Sequence, residues 1–170
     1  MPETIHIALV GNPNAGKSTI FNALTGGNQH VGNWPGKTVE KKEGRFALGG
    51  QTCHIIDLPG AYSLAAYSAE EVITRDYLLQ ARPDVVVAVV DAANLERNLY
   101  LVVQLIELGA PLIVALNMAD VAAGRGLSIR TETLAARLGV PVVPTVATQG
   151  RGLDDLKAAI LDKATCRSRI

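Results

Sequence analysis

Short runs of aliphatic and β-branched residues recur along the chain, at Ile5 to Val10, Thr52 to Ile56, Val85 to Val90, Leu112 to Leu116 and Val140 to Val146. Between them apolar positions return at helical spacing. Continuous apolar runs suit strands buried on both faces, and their alternation with helices predicts parallel strands joined by crossovers. Pro141 and Pro144 break the last run. Helices are expected at Lys17 to Leu24, near Ala69 to Gln80, at Leu95 to Leu108, at Thr131 to Leu138 and at Leu153 to Lys163, where Leu153, Leu156 and Ile160 share one face. Thr38 to Leu48 is different: Glu40, Lys41, Lys42, Glu43 and Arg45 mark a solvated edge strand. Gly26 to Gly36 has no period and reads as a functional loop. The pattern implies an α/β three-layer sandwich with a mostly parallel six-stranded sheet and one antiparallel edge strand.

Composition narrows the picture without redirecting it. A chain of 170 residues suits a single domain spanning 1–170, and a net charge of zero with no basic stretch argues against nucleic acid or an anionic membrane as partner. Cys53 and Cys166 make no CxxC pair and no disulfide framework, which favours a reducing compartment. The apolar runs fall short of the ~20 residues a spanning helix needs, and no signal peptide is expected. The fragment should be soluble.

The chemistry starts at Gly11-Asn12-Pro13-Asn14-Ala15-Gly16-Lys17-Ser18, a GxxxxGK[ST] loop placed directly after a strand and opening a helix. In a P-loop NTPase such a loop and the helix N-terminus, through Thr19, cradle phosphates. Lys17 reaches the β- and γ-phosphates, and the Ser18 hydroxyl ligates Mg²⁺. Asp57-Leu58-Pro59-Gly60 ends the next buried strand, so Asp57 can hold Mg²⁺ through water and the Gly60 N–H can meet the γ-phosphate. Taken alone, Asp-x-x-Gly would be a plain turn. Asn117-Met118-Ala119-Asp120 resembles the guanine-specifying NKxD motif with Met118 in place of lysine. Asp120 can accept from guanine N1–H and the exocyclic amine, and adenine would leave a buried carboxylate unpaired. Ala147-Thr148-Gln149 stands where an SAK-like loop offers backbone N–H to guanine O6, without the serine hydroxyl. Ordered motifs of this kind identify a GTPase domain that turns GTP into GDP.

Val31-Gly32-Asn33-Trp34-Pro35-Gly36-Lys37-Thr38-Val39-Glu40, together with Asp57 to Gly60, Tyr62-Ser63-Leu64 and Asn117 to Asp120, resembles the amino-terminal G domain of the bacterial ferrous-iron transporters, the FeoB family. Lys37 and Ala61 depart from the usual family pattern, though neither removes a ligand. The resemblance implies a module excised from a longer protein, with a helical domain and a membrane permease in the same polypeptide, and the end at Ile170 fits that expectation. It places the module on the cytoplasmic face of the bacterial inner membrane, regulating or driving iron uptake, with small accessory proteins as further partners and no nucleic acid. It also implies a switch I at about 26–40, with Gly36, Lys37 and Thr38 near the nucleotide and Thr38 closing on Mg²⁺ and the γ-phosphate, and a switch II at about 57–68.

Ala61 stands where many GTPases carry a water-orienting Gln, and no arginine finger is evident, so slow hydrolysis is expected. A K⁺ ion held by the Asn14 side-chain oxygen could neutralise the leaving group, with the carbonyls of Gly32 and Trp34 completing its shell as the resemblance implies. The alternative is that Asn14 is only a turn residue tolerant of unusual backbone angles. His6, His30 and His54 offer no ligand spacing for iron. Two other readings are a ribosome-assembly or tRNA-modification GTPase, against which the Asn-Trp-Pro-Gly loop and the lack of a basic extension argue, and a sensor that binds GTP without turnover.

Overall fold

The computed structural model describes residues 4–167. Strands β1 (Ile5–Gly11), β4 (Gln51–Asp57), β5 (Val85–Asp91), β6 (Leu112–Asn117) and β7 (Val142–Pro144) run parallel, and β2 (Gln29–Asn33) and β3 (Glu40–Leu48) extend the sheet antiparallel at one side. The sheet has seven strands in the order β2-β3-β4-β1-β5-β6-β7. This is the expected mostly parallel α/β sandwich with one strand more than expected. The additional strand, β2, lies inside the segment read as an aperiodic loop, and it pushes β3 from the edge to an inner position. All five residues of β2 are exposed, so backbone ladder bonds hold it and it carries no apolar period to read. At the other edge β7 is only three residues long, because Pro141 and Pro144 cannot donate to a ladder.

Helices cover both faces. On one, α1 (Lys17–Thr25) and α6 (Leu153–Arg167) bury Ile20, Phe21, Leu24, Leu156 and Ile160 against Leu9, Ile55, Val87 and Ile113. On the other, α2 (Ala69–Ala81), α3 (Leu95–Glu107) and α4 (Ala119–Gly124) set Leu78, Leu101, Leu105 and Ala122 in one cluster with Val10, Ile56, Val86, Val90 and Leu116. Helix α5 (Thr131–Leu138) closes the second face beside β7. The alternation along each strand explains the two cores: Ile7 and Leu9 point one way, Ala8 and Val10 the other. Helix α4 has no counterpart in the expected elements, being six residues long and too short for a period. No helix among the described residues is long and apolar enough to cross a membrane.

Candidate nucleotide-binding site

Parallel strands deliver their carboxyl ends to one edge of the sheet, which is where open α/β proteins place ligands. Gly11 to Ser18 joins β1 to α1 there. A Cβ on Gly11 would meet the Val89 carbonyl oxygen at 2.6 Å, and one on Gly16, at φ 99°, would lie 2.1 Å from Asn117 Nδ2. Neighbouring elements therefore press on this loop so closely that only glycine fits. Asn14 is exposed with φ 66°, so it does have the turn geometry that was its alternative reading. No side chain caps α1, whereas Ser68 Oγ caps α2 by accepting from the Glu71 N–H at 3.1 Å. The first turn of α1, with Lys17, Ser18 and Thr19, thus presents N–H groups at the positive end of the helix dipole.

Lys17 and Asp57 converge beneath the loop. The ammonium lies 2.8 Å from Asp57 Oδ1, with side-chain exposures of 10% and 9%. The register Leu9 to Asp57 across β1 and β4 sets this meeting. Backbone bonds carry the chain onward: Leu58 donates to the Leu9 carbonyl at 3.0 Å and Ala61 to the Gly11 carbonyl at 3.0 Å. A Cβ on Gly60 would sit 3.0 Å from Pro13 Cγ, so Gly60 packs directly on the phosphate loop. Ala61, at the position noted for a water-orienting Gln, is buried. Beyond it side chains take over. Ser63 Oγ donates to Glu71 Oε2 at 2.9 Å, the Leu64 N–H donates to Gln104 Oε1 at 2.7 Å, and the Arg97 guanidinium lies 4.5 Å from the centre of the Tyr62 ring.

Across the edge, Asn117 is 3% exposed and uses both ends of its amide. Nδ2 donates to the Ala15 carbonyl at 3.1 Å, while Oδ1 accepts from Thr145 Oγ1 and from the Ala147 N–H, each at 3.1 Å. One side chain therefore ties the phosphate loop to the end of β7 and to the 3₁₀ turn Ala147–Gln149. Thr145 is absent from the residues that the sequence motifs single out; a single hydroxyl in an otherwise apolar run is its only signal. Met118 enters α4 in left-handed conformation, φ 61°, with its Cε near Gly16. Asp120 lies in the first turn of α4 and is exposed, and the residue before α4 is Met118. Thr148 is exposed and Ala147 buried.

The 26–40 segment is a hairpin, not an open loop. Gln29 to Asn33 pairs with Glu40 to Gly44, and the tip is closed by the Trp34 N–H on the Val39 carbonyl, 3.0 Å, and the Lys37 N–H on the Trp34 carbonyl, 2.9 Å. Gly32, Gly36, Lys37 and Thr38 are exposed. Strand β3 pairs Lys42 with Asp57, so the tip lies at the same carboxyl edge as Gly11. Strand β4 intervenes, which sets β3 about 10 Å, two strand spacings, from β1. Trp34 is not splayed into solvent. Its ring meets Tyr77 of α2 edge-on at 5.8 Å, and Lys41 Nζ lies 4.8 Å from its centre.

Burial pushes the Cys53 thiol up to about 11, and Cys53 faces the core while His54, one residue on, packs edge-on against His6 at 5.6 Å. Burial, ahead of the opposing pull of Glu43, lowers His54 below its usual value.

Comparison with known proteins agrees with this geometry. The chain is 53% identical over 158 residues to the Fe(2+) transporter FeoB of Escherichia coli (strain K12), matching 91% of this chain and 20% of that protein. It thus spans about a fifth of the length of the curated relatives it matches. Among solved structures, the FeoB G-domain of Methanococcus jannaschii superposes with a TM-score of 0.86 at 49% identity, covering 96% of this chain and 99% of that one. The cytosolic domain of T. maritima FeoB in GDP form II gives 0.92 at 46% identity, covering 95% and 64%. A family model described as ferrous iron transport protein B matches residues 5–160, and the chain belongs to that family as its FeoB G-domain portion.

Proposed function

We propose that this domain binds GTP with Mg²⁺ and hydrolyses it to GDP and phosphate, as the nucleotide switch of a ferrous-iron transporter at the cytoplasmic face of the bacterial inner membrane. The observation that carries the reading is the convergence of Lys17 and Asp57, 2.8 Å apart, under a glycine loop that ends on an uncapped helix. A cation for the phosphates and a carboxylate for a metal's water shell are thereby brought to one point.

In this reading the N–H groups of Gly11 to Ser18 and Thr19 hold the phosphates and Lys17 bridges the β- and γ-oxygens. Ser18, Thr38 and Asp57 are hard oxygen donors of the kind Mg²⁺ takes, and the ion would neutralise charge on the phosphates. Gly60, pressed on Pro13, offers its N–H to the γ-phosphate. Asp120 selects guanine. Its exposure here means that the base itself must shield the carboxylate, so the penalty on adenine arises only in the complex. With the Ala147 N–H already given to Asn117, the guanine oxygen is left to the backbone at Thr148.

Neutral oxygens suit K⁺, and the exposed Asn14 is a candidate ligand with the carbonyls of Gly32 and Trp34; the ion would supply the positive charge an arginine finger supplies elsewhere. The Trp34 carbonyl accepts one hydrogen bond, from the Lys37 N–H, and keeps a second lone pair for a cation. The adjoining helical domain, the permease and small accessory proteins are the partners this reading assigns to the switch. Single-turnover hydrolysis in matched KCl and NaCl tests the chemistry. Faster turnover in KCl, lost in Asn14→Ala, is expected; equal rates in both salts would reject the cation, and no turnover in either would reject the enzyme in favour of a sensor.

A further inference from the structure

Thr38 lies in the tip of a hairpin that β4 separates from β1, so it has to travel if it is to meet the γ-phosphate. The tip is closed by the Trp34–Val39 and Lys37–Trp34 backbone bonds. Besides these backbone bonds, Trp34 is held by the seat of its side chain. The indole packs onto the core under α2, edge-on to Tyr77, with the Lys41 ammonium over the ring. Pro35, Val72, Ile73 and Asp76 border the same recess.

We infer that this seat is a latch: Trp34 docked on Tyr77 stabilises the hairpin form, and GTP must draw the indole out to bring Thr38 to the phosphates. Tyr77 is therefore a positioning residue for hydrolysis, although it belongs to none of the nucleotide motifs. The inference rests on the switch reading of residues 26–40. It also explains a physical link between the two switch segments. Helix α2 begins right after the 57–68 segment, and Thr74 in its second turn donates to the Pro59 carbonyl at 3.2 Å, so a shift in one segment is felt at the seat of the other. Burial, then Glu43, holds the Tyr77 phenol above its usual value, so the ring partner stays neutral near physiological pH.

Trp34 is the chain's single tryptophan, so its fluorescence reports the seat directly. With nucleotide occupancy followed separately by calorimetry, GDP should leave the emission blue and shielded from acrylamide. Mg²⁺ with a non-hydrolysable GTP analogue should shift it red and open it to quenching. Tyr77→Ala should show the red, quenchable emission already with GDP and raise the preference for the analogue over GDP roughly tenfold. Tyr77→Phe keeps the edge-on ring and should restore wild-type behaviour, which separates the latch from a loss of folding. Occupancy by the analogue with unchanged wild-type emission would overturn the latch alone. Failure of either guanine nucleotide to bind would overturn the switch reading and the latch with it.

Discussion

The two ends of the candidate site are built from different materials. On the base side, one buried side chain, Asn117, joins the phosphate loop, the end of β7 and the Ala147–Gln149 turn through three hydrogen bonds, and Gly16 approaches it too closely for any Cβ. On the γ-phosphate side the backbone bonds to the glycine loop and β1 end at Ala61. From there the chain is held by separable contacts with side chains, Ser63 to Glu71, Leu64 to Gln104 and Tyr62 under Arg97, and the hairpin adds Trp34 on Tyr77 to its own backbone ladder. Buried bonds with no solvent to replace them make a rigid platform, and each half-buried contact is weak enough to exchange for another. A site that must hold nucleotide before and after hydrolysis, yet sense the difference, needs one half of each kind.

The sharpest way to break that contrast is at Asn117. Asn117→Ala leaves the Ala15 carbonyl, the Thr145 hydroxyl and the Ala147 N–H without their partner, at about 1–3 kcal/mol for each buried group. Denaturant titration should show a loss of about 3 kcal/mol or more, and GDP binding should fall below detection in calorimetry. Retained stability would mean that the platform is not held through this side chain.

Next come the phosphate residues. Lys17→Ala should abolish hydrolysis, while Thr38→Ala should slow single turnover by roughly 10²–10³ and leave GDP affinity nearly unchanged, as expected for an interaction made only once the γ-phosphate is present. Equal losses of GDP affinity in both variants would place Thr38 on the rigid half.

Asp120→Ala should be milder still. Removing the acceptor of two base N–H groups should weaken GDP by about 1–3 kcal/mol and leave ADP nearly untouched, so the gap between the two narrows. Calorimetric titration with each nucleotide measures it directly. The smallest effect belongs to Cys53 in the core beneath the platform. Its thiol is pushed up to about 11, so a thiol reagent near neutral pH should label the exposed Cys166 and spare Cys53 until the domain unfolds. Rapid labelling of both would show that β4 opens freely.

The sequence by itself determined much of this molecule. Apolar runs at Ile5, Val85 and Leu112 became buried parallel strands because such strands need no polar face, and the glycine loop, Asp57 and Asn117 emerged at the strands' carboxyl ends as the order of elements requires. Glycine motifs are legible because no other residue tolerates such close approach. Tertiary structure alone decided the rest. An edge strand whose every side chain is exposed is held by its backbone ladder, so Gln29 to Asn33 left no pattern to read. Helix α4 is shorter than two turns, and whether Asp120 is covered depends on what packs over it. Asn117 pairs with Thr145, 28 positions along the chain, and Trp34 with Tyr77 of a different element, and only the folded chain brings them into hydrogen-bond or van der Waals range. Interactions of that range act over a few ångströms in space and leave no period along the chain.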